Sequence, residues 1–265
     1  NDNQYKESYK FLKKLNGLEE IYPNYSSKFL LSLVNSGKFN EAFNYAKKLE
    51  KRKLSNFESD LVIGVYHLKN QSYDLSLEYF LKIKNRKSKF LINSFISSSL
   101  YNWVNFVNLD FNNAQKKIES IESKFENLKN IQNVFLNCFY ETKDTELFFE
   151  NLTSNEKIDF SRYNYFYANY MANSGKILKA KKILESSLGL YPRNLLLNQY
   201  KLDLKNNKHE NNFNCKNISH VVAEILYISA NALSSQNIYE FSNFYLNLSK
   251  YLNKNFHSFD ILLAE

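Results

Sequence analysis

Apolar side chains recur along most of this chain at spacings of three and four, the mark of helices with one buried face. The recurrences come in pairs separated by a short polar break. Between residues 23 and 56, Phe29-Leu30 and Leu33 define one helix, Gly37-Lys38-Phe39 interrupts it, and Ala42, Ala46 and Leu49 define a second. The next pair follows at once over 57–90, with Ile63-Gly64 and His67, then Tyr73, Ser76, Phe80 and Ile83. Weaker pairs follow over 95–128 (Tyr101, Trp103, Phe111, Ala114, Ile118, Ile121) and 129–160 (Phe135-Leu136, Phe139, Phe148, Leu152). In the last of these a bulky Phe148 stands where two helices should meet most closely, so that pair is expected to splay.

The clearest pair is 161–194, where Tyr167-Ala168, Met171, Gly175, Ala180, Leu184, Ser187 and Pro192 stand in the order and spacing of one 34-residue motif. Antiparallel helices approach closely only where small residues meet, which accounts for Ala168, Ala180 and Ser187. This stretch resembles a tetratricopeptide repeat. The resemblance implies an all-α α-solenoid in which helix pairs stack into a right-handed superhelix, each pair covering its neighbour's apolar face. About a dozen helices and no β-sheet are expected, with Gly37, Gly64 and Gly175 at turns or tight contacts.

Residues 1–22 read as the second helix of a truncated repeat, broken near Gly17. The array fills 23–204, the polar run 205–217 is a loop, and the array resumes over 218–265, where Phe259 opens a further helix. Neither end supplies the polar outer face that caps such stacks, so the chain is expected to be part of a longer protein. The stretch from Ala223 through Leu226-Tyr227, Ala230, Leu233, Tyr251-Leu252 and Phe256 to Leu262-Leu263-Ala264-Glu265, together with Trp103 and Ala114, resembles the middle of long bacterial tetratricopeptide proteins. Lys254 departs from that pattern, standing where a repeat-ending proline is usual. That resemblance implies a scaffold, many relatives being exported, so a periplasmic location is the expectation and a cytoplasmic one stays open.

Composition changes this picture little. The net charge is +8, which raises nucleic acid as a partner, but the excess is lysine, and only Arg52, Arg86, Arg162 and Arg193 carry the group best suited to phosphate and base edges. The cluster Lys47, Lys48, Lys51, Arg52 and Lys53 suits a helix C-terminus, where cations meet the negative end of the dipole. Richness in lysine and asparagine reflects an A-rich coding sequence. No specific nucleic acid partner and no membrane span are expected. Cys138 and Cys215 read as free thiols, and His209, Cys215 and His220 lack the spacing and fourth ligand of a zinc site. No metal or cofactor is expected.

In this repeat class one face of each first helix lines the inner groove. Mapping that face onto the chain selects Trp103 and Phe106; Asn133, Asn137 and Tyr140; Arg162, Tyr165, Asn169 and Asn173; and Tyr227 and Asn231. Asparagine recurs at the ninth position as Asn137, Asn169 and Asn231, and an amide there can both donate to and accept from a peptide backbone. Ser27, Leu31 and Leu61 replace the lysines that grip carboxylates in chaperone adaptors. No constellation of nucleophile, base or acid stands out. The sequence therefore points to a non-catalytic scaffold binding a peptide or partner helix of another protein. An RNA-binding helical-repeat protein and the regulatory arm of an enzyme remain alternatives.

Overall fold

A computed structural model of the protein describes residues 2–15, 17–22, 24–86, 91–155, 158–208 and 212–259. The described residues form fourteen α-helices and no strand. In chain order these are α1 (Asp2–Lys14), α2 (Tyr25–Asn35), α3 (Phe39–Lys51), α4 (Phe57–Lys69), α5 (Tyr73–Asn85), α6 (Leu91–Asn105), α7 (Phe111–Glu119), α8 (Glu126–Phe139), α9 (Thr145–Thr153), α10 (Ser161–Asn173), α11 (Ile177–Leu190), α12 (Leu195–Lys205), α13 (Ile218–Ser234) and α14 (Tyr239–Leu252). Short 3-10 turns occur at Leu18–Glu20, Phe106–Asn108 and Ser123–Phe125. No described helix is long and apolar enough to cross a membrane. Two compact units divide the chain, one of residues 1–108 and 221–265, the other of residues 109–220.

Seven of the turns share one device. Gly37, Lys53, Gln71, Glu141, Gly175, Asn207 and Asn237 all have positive φ. The residue after each sends its N–H to the carbonyl five positions back, as in Lys38 to Leu33, Ser72 to His67, Thr142 to Asn137, Lys176 to Met171 and Ile238 to Leu233. This closure satisfies carbonyls left over at a helix C-terminus and reverses the chain. Gly37 and Gln71 stand 34 residues apart, and so do Glu141 and Gly175. The turns at Gln71 and Glu141 lie where no glycine marks them.

In the first unit, α2 to α6 pack each on the next, and α2 also touches α4. The tightest approach is between α4 and α5, where Gly64 lies under the Phe80 ring and Ser76 Oγ donates to the Gly64 carbonyl at 2.9 Å. Ser242 Oγ repeats that bond to the Ala230 carbonyl at 2.8 Å between α14 and α13. Neighbouring pairs are tied at sequence separations of 29–31 residues, Ser27 to Glu58, Asn56 to Ser26 and Tyr79 to Glu50, and within the pair of α4 and α5 Arg86 reaches Asp60. Three members of the basic cluster at the end of α3 are paired, Lys47 with Glu50, Lys48 with Glu19, and Arg52 with Glu19 and Glu20, while Lys51 and Lys53 are exposed. His67 lies half-buried against the rings of Phe43, Tyr66 and Tyr79.

The second unit repeats the scheme from α7 to α12, with α10 also touching α12. Ties at similar separations recur, Asn194 to Ser161 and Lys176 to Glu146. Ala168, Ala180 and Ser187 are buried as their small size requires. Two expectations are corrected here. On α9 it is Thr145, Phe149 and Leu152 that are buried, while Phe148 is half-buried, so Phe148 is not the residue turned fully inward. Cys138 and Cys215 are not free thiols: they form a disulfide across 77 residues, with Cα atoms 5.9 Å apart. Nothing in sequence spacing brings them together, since the loop before α13 folds back to reach α8. The expected last helix beyond Phe259 and the reading of His209 lie outside the described residues.

Candidate functional site

In each unit a segment distant in sequence packs across the helix pairs. In the first unit that segment is α14, which packs against α2 and α4. Phe244, Tyr245, Leu246, Leu248 and Leu252 of α14 are buried, each gaining roughly 1.5–3 kcal/mol from leaving water. The polar contacts run along its length. Asn243 Nδ2 donates to Tyr5 Oη at 2.6 Å, Asn247 Nδ2 to Asn35 Oδ1 at 3.4 Å, and Tyr245 Oη to Asn93 Oδ1 at 3.2 Å. Lys69 Nζ reaches the Leu252 carbonyl at 3.0 Å, satisfying a C-terminal acceptor, and the Phe39 and Tyr251 rings stack at 4.2 Å. Burial, with the Glu58 charge adding to it, raises the Tyr245 phenol, so it stays protonated and donates. Leu31 and Leu61, expected on an open groove wall, are buried.

In the second unit the occupant is a strap, residues 212–217, which ends in a turn where the Asn217 N–H donates to the Asn214 carbonyl at 3.0 Å. The Phe213 ring lies 5.2 Å from Phe135, 4.5 Å from Phe166 and 6.1 Å from His220, and is 3% exposed. The peptide group after it is held from both sides: Asn169 Nδ2 donates to the Phe213 carbonyl at 2.8 Å, and the Asn214 N–H donates to His220 Nδ1 at 3.0 Å. Tyr200 Oη donates to Asn169 Oδ1 at 3.4 Å, which fixes the amide's orientation. Burial raises the Tyr200 phenol, with Tyr165 and Asp203 adding to the effect. Asn214 Oδ1 accepts from the Lys216 N–H at 2.9 Å, Lys216 pairs with Glu141 at 2.6 Å, and the Cys138–Cys215 bond fastens the strap to α8. A cavity of about 190 Å³ borders both cysteines, Asn173 and Lys216.

The groove residues expected from the sequence fall in different surroundings. Asn133, Asn137, Tyr140, Arg162, Tyr165, Asn169 and Asn173 belong to the second unit, while Trp103, Phe106, Tyr227 and Asn231 belong to the first. Trp103 and Phe106 are not on an open wall: both are fully buried, their rings 5.1 Å apart, and Phe106 stands in a 3-10 turn past the end of α6. Such large apolar surfaces gain most from leaving water. The three recurring asparagines do not form one exposed row. Asn137 is buried, donating to the Asn133 carbonyl at 2.9 Å and accepting from Thr142 Oγ1 at 2.6 Å. Asn169 holds the strap, and Asn231 is exposed on α13.

Tyr140 Oη donates to the Leu109 carbonyl at 2.7 Å; burial and the Asp110 charge raise its phenol. Arg162 places its guanidinium 5.5 Å from the Phe166 ring centroid, and Tyr165 meets Tyr200 edge-on at 4.9 Å. Tyr227 faces Phe259 at 5.4 Å. Asn173 is exposed at the cavity rim.

Comparison with known protein families, with characterised proteins and with solved structures finds no match in any of the three.

Sequence reasoning missed Phe213, His220 and the cystine. Phe213 was legible as the one apolar residue in a polar run, and an isolated aromatic there asks for a pocket. Among the described residues, no three His, Cys, Asp or Glu side chains converge as a metal site. Cys215 is in the cystine and His220 accepts from Asn214.

Proposed function

We propose that this chain is a tetratricopeptide-like helical-repeat protein whose work is to bind other polypeptides without catalysis. The observation that carries the reading is the Phe213–Asn214 peptide group, gripped at its carbonyl by Asn169 and at its N–H by His220. Backbone capture with an aromatic anchor is a recurrent mode of peptide recognition, and a helix laid on an apolar face, as α14 lies on α2 and α4, is another. The turns 34 residues apart and the ties between neighbouring helix pairs support the repeat assignment. The pairing of Lys47, Lys48, Arg52, Lys82 and Arg86 with carboxylates speaks against a phosphate-binding surface there. A cystine persists where thiols are oxidised, which supports an exported location.

Panning the immobilised protein in parallel against a library of displayed peptides and a pool of random RNA tests the reading. The expected result is a family of peptides sharing an aromatic anchor, with RNA retained only weakly and lost as salt rises. A sequence-preferring RNA bound with sub-micromolar affinity at physiological salt, without peptide enrichment, would overturn it.

A further inference from the structure

We infer that the face of α8, α10 and α12 that carries Phe135, Phe166 and Asn169 is a binding site for a short peptide bearing a phenylalanine, that residues 212–217 occupy it as a ligand in cis, and that the Cys138–Cys215 bond is the latch. This rests on the peptide-binding reading above and names the site and its ligand class. The strap's recognition depends on few of its own side chains. One ring enters the space between Phe135 and Phe166, and one backbone carbonyl meets the Asn169 amide of the wall, while the N–H that follows is held by His220 at the start of α13. Asn169 is oriented from behind by Tyr200, so the amide is set before any ligand arrives. Any segment presenting a phenylalanine with a free carbonyl meets the same ring pocket and the same Asn169 amide.

While the cystine stands, the strap is held at an effective concentration that no dissolved peptide matches. A dithiol opens it: the Sγ–Sγ bond breaks, two electrons and two protons pass to give the Cys138 and Cys215 thiols, and the dithiol leaves as a cyclic disulfide. The cavity beside both cysteines gives the reagent its approach.

The test is a titration of a fluorescein-labelled peptide with the sequence of residues 212–217, serine replacing cysteine, read by anisotropy. It is run with oxidised wild type, with wild type reduced by dithiothreitol, and with Phe213→Ala/Cys215→Ser, which disables the strap. The expected result is saturable binding to the last two, at least about tenfold tighter than to oxidised wild type, and no binding of a peptide carrying alanine for phenylalanine. If the double variant keeps wild-type circular dichroism and binds nothing, the inference falls.

Should that variant lose helix, hydrogen exchange on reduced wild type decides. Fast exchange confined to 212–217, with α8, α10 and α12 still protected, supports a latch; exposure of all three helices makes the cystine a structural staple and overturns the inference. Library-selected peptides that bind oxidised wild type as tightly as the double variant would leave the peptide-binding reading standing and remove this site.

Discussion

Replacing Gly64 by alanine probes the closest helix contact in the first unit. A Cβ built on Gly64 would stand 2.5 Å from Phe80 Cε1, 2.7 Å from Cδ1 and 3.3 Å from Cζ, all well inside van der Waals contact. The ring is fully buried and cannot swing into solvent, and the Ser76 bond to the Gly64 carbonyl opposes separation of the two helices. Overpacking of this kind costs about 1–3 kcal/mol, and this contact belongs at the upper end. Alanine recovers about 1 kcal/mol of helix propensity. The net loss is therefore about 2 kcal/mol, or roughly 4–8 °C in Tm for a unit of this size. Urea denaturation followed by circular dichroism measures it, and the Phe80→Leu partner completes a double-mutant cycle. With the ring gone the added methyl fits, so the cycle should return a favourable coupling of about 1–2 kcal/mol. A neutral or stabilising Gly64→Ala, or a cycle with no coupling, would refute the packing described for α4 and α5.

Gln71→Gly should stabilise the protein by about 1 kcal/mol in the same assay, because Gln71 holds a φ of 59°, where a Cβ is disfavoured. Ala180→Glu should cost about 3 kcal/mol, since it places an unpaired charge at a fully buried contact. Burial alone would raise the Glu50 carboxyl, but hydrogen bonds from Lys47, Tyr79 and Lys82 outweigh it and hold the group at about 2. Its folded pKa lies below the unfolded value, so its contribution is present above about pH 4.3 and is lost as pH falls towards 2. Glu50→Gln should flatten the acid limb of a stability-versus-pH curve across that window; an unchanged limb would contradict the pairing.

What the sequence carried best was local. Periodicity places the helices because burial of one face repeats every three to four residues, and Gly37 and Gly175 mark their turns because only glycine takes positive φ without strain. Gln71 and Glu141 adopt the same turn with no glycine to announce it. On α9 the pattern is ambiguous for a related reason: Phe148 and Phe149 are adjacent and equally apolar, and Phe149 is the one buried.

Long-range closure left little trace. Asn169 was legible as a backbone-binding amide, but the backbone it binds, that of Phe213, lies 44 residues on across a polar run. Asn35 and Asn247, 212 residues apart, meet only because α14 returns to α2. Periodicity within a helix pair says nothing about which distant segment will cover its inner face.

That return of α14 is the central claim, and cysteine cross-linking tests it most directly. With the native cysteines already paired, Asn35→Cys and Asn247→Cys introduce one further pair at a contact now made by amides 3.4 Å apart. Under mild oxidation the account predicts a second intramolecular disulfide in most molecules, seen as a faster band on a non-reducing gel and as a cross-linked tryptic peptide in the mass spectrum. An open array, in which α14 does not reach α2, would leave both new thiols free to alkylation, and that result would contradict it.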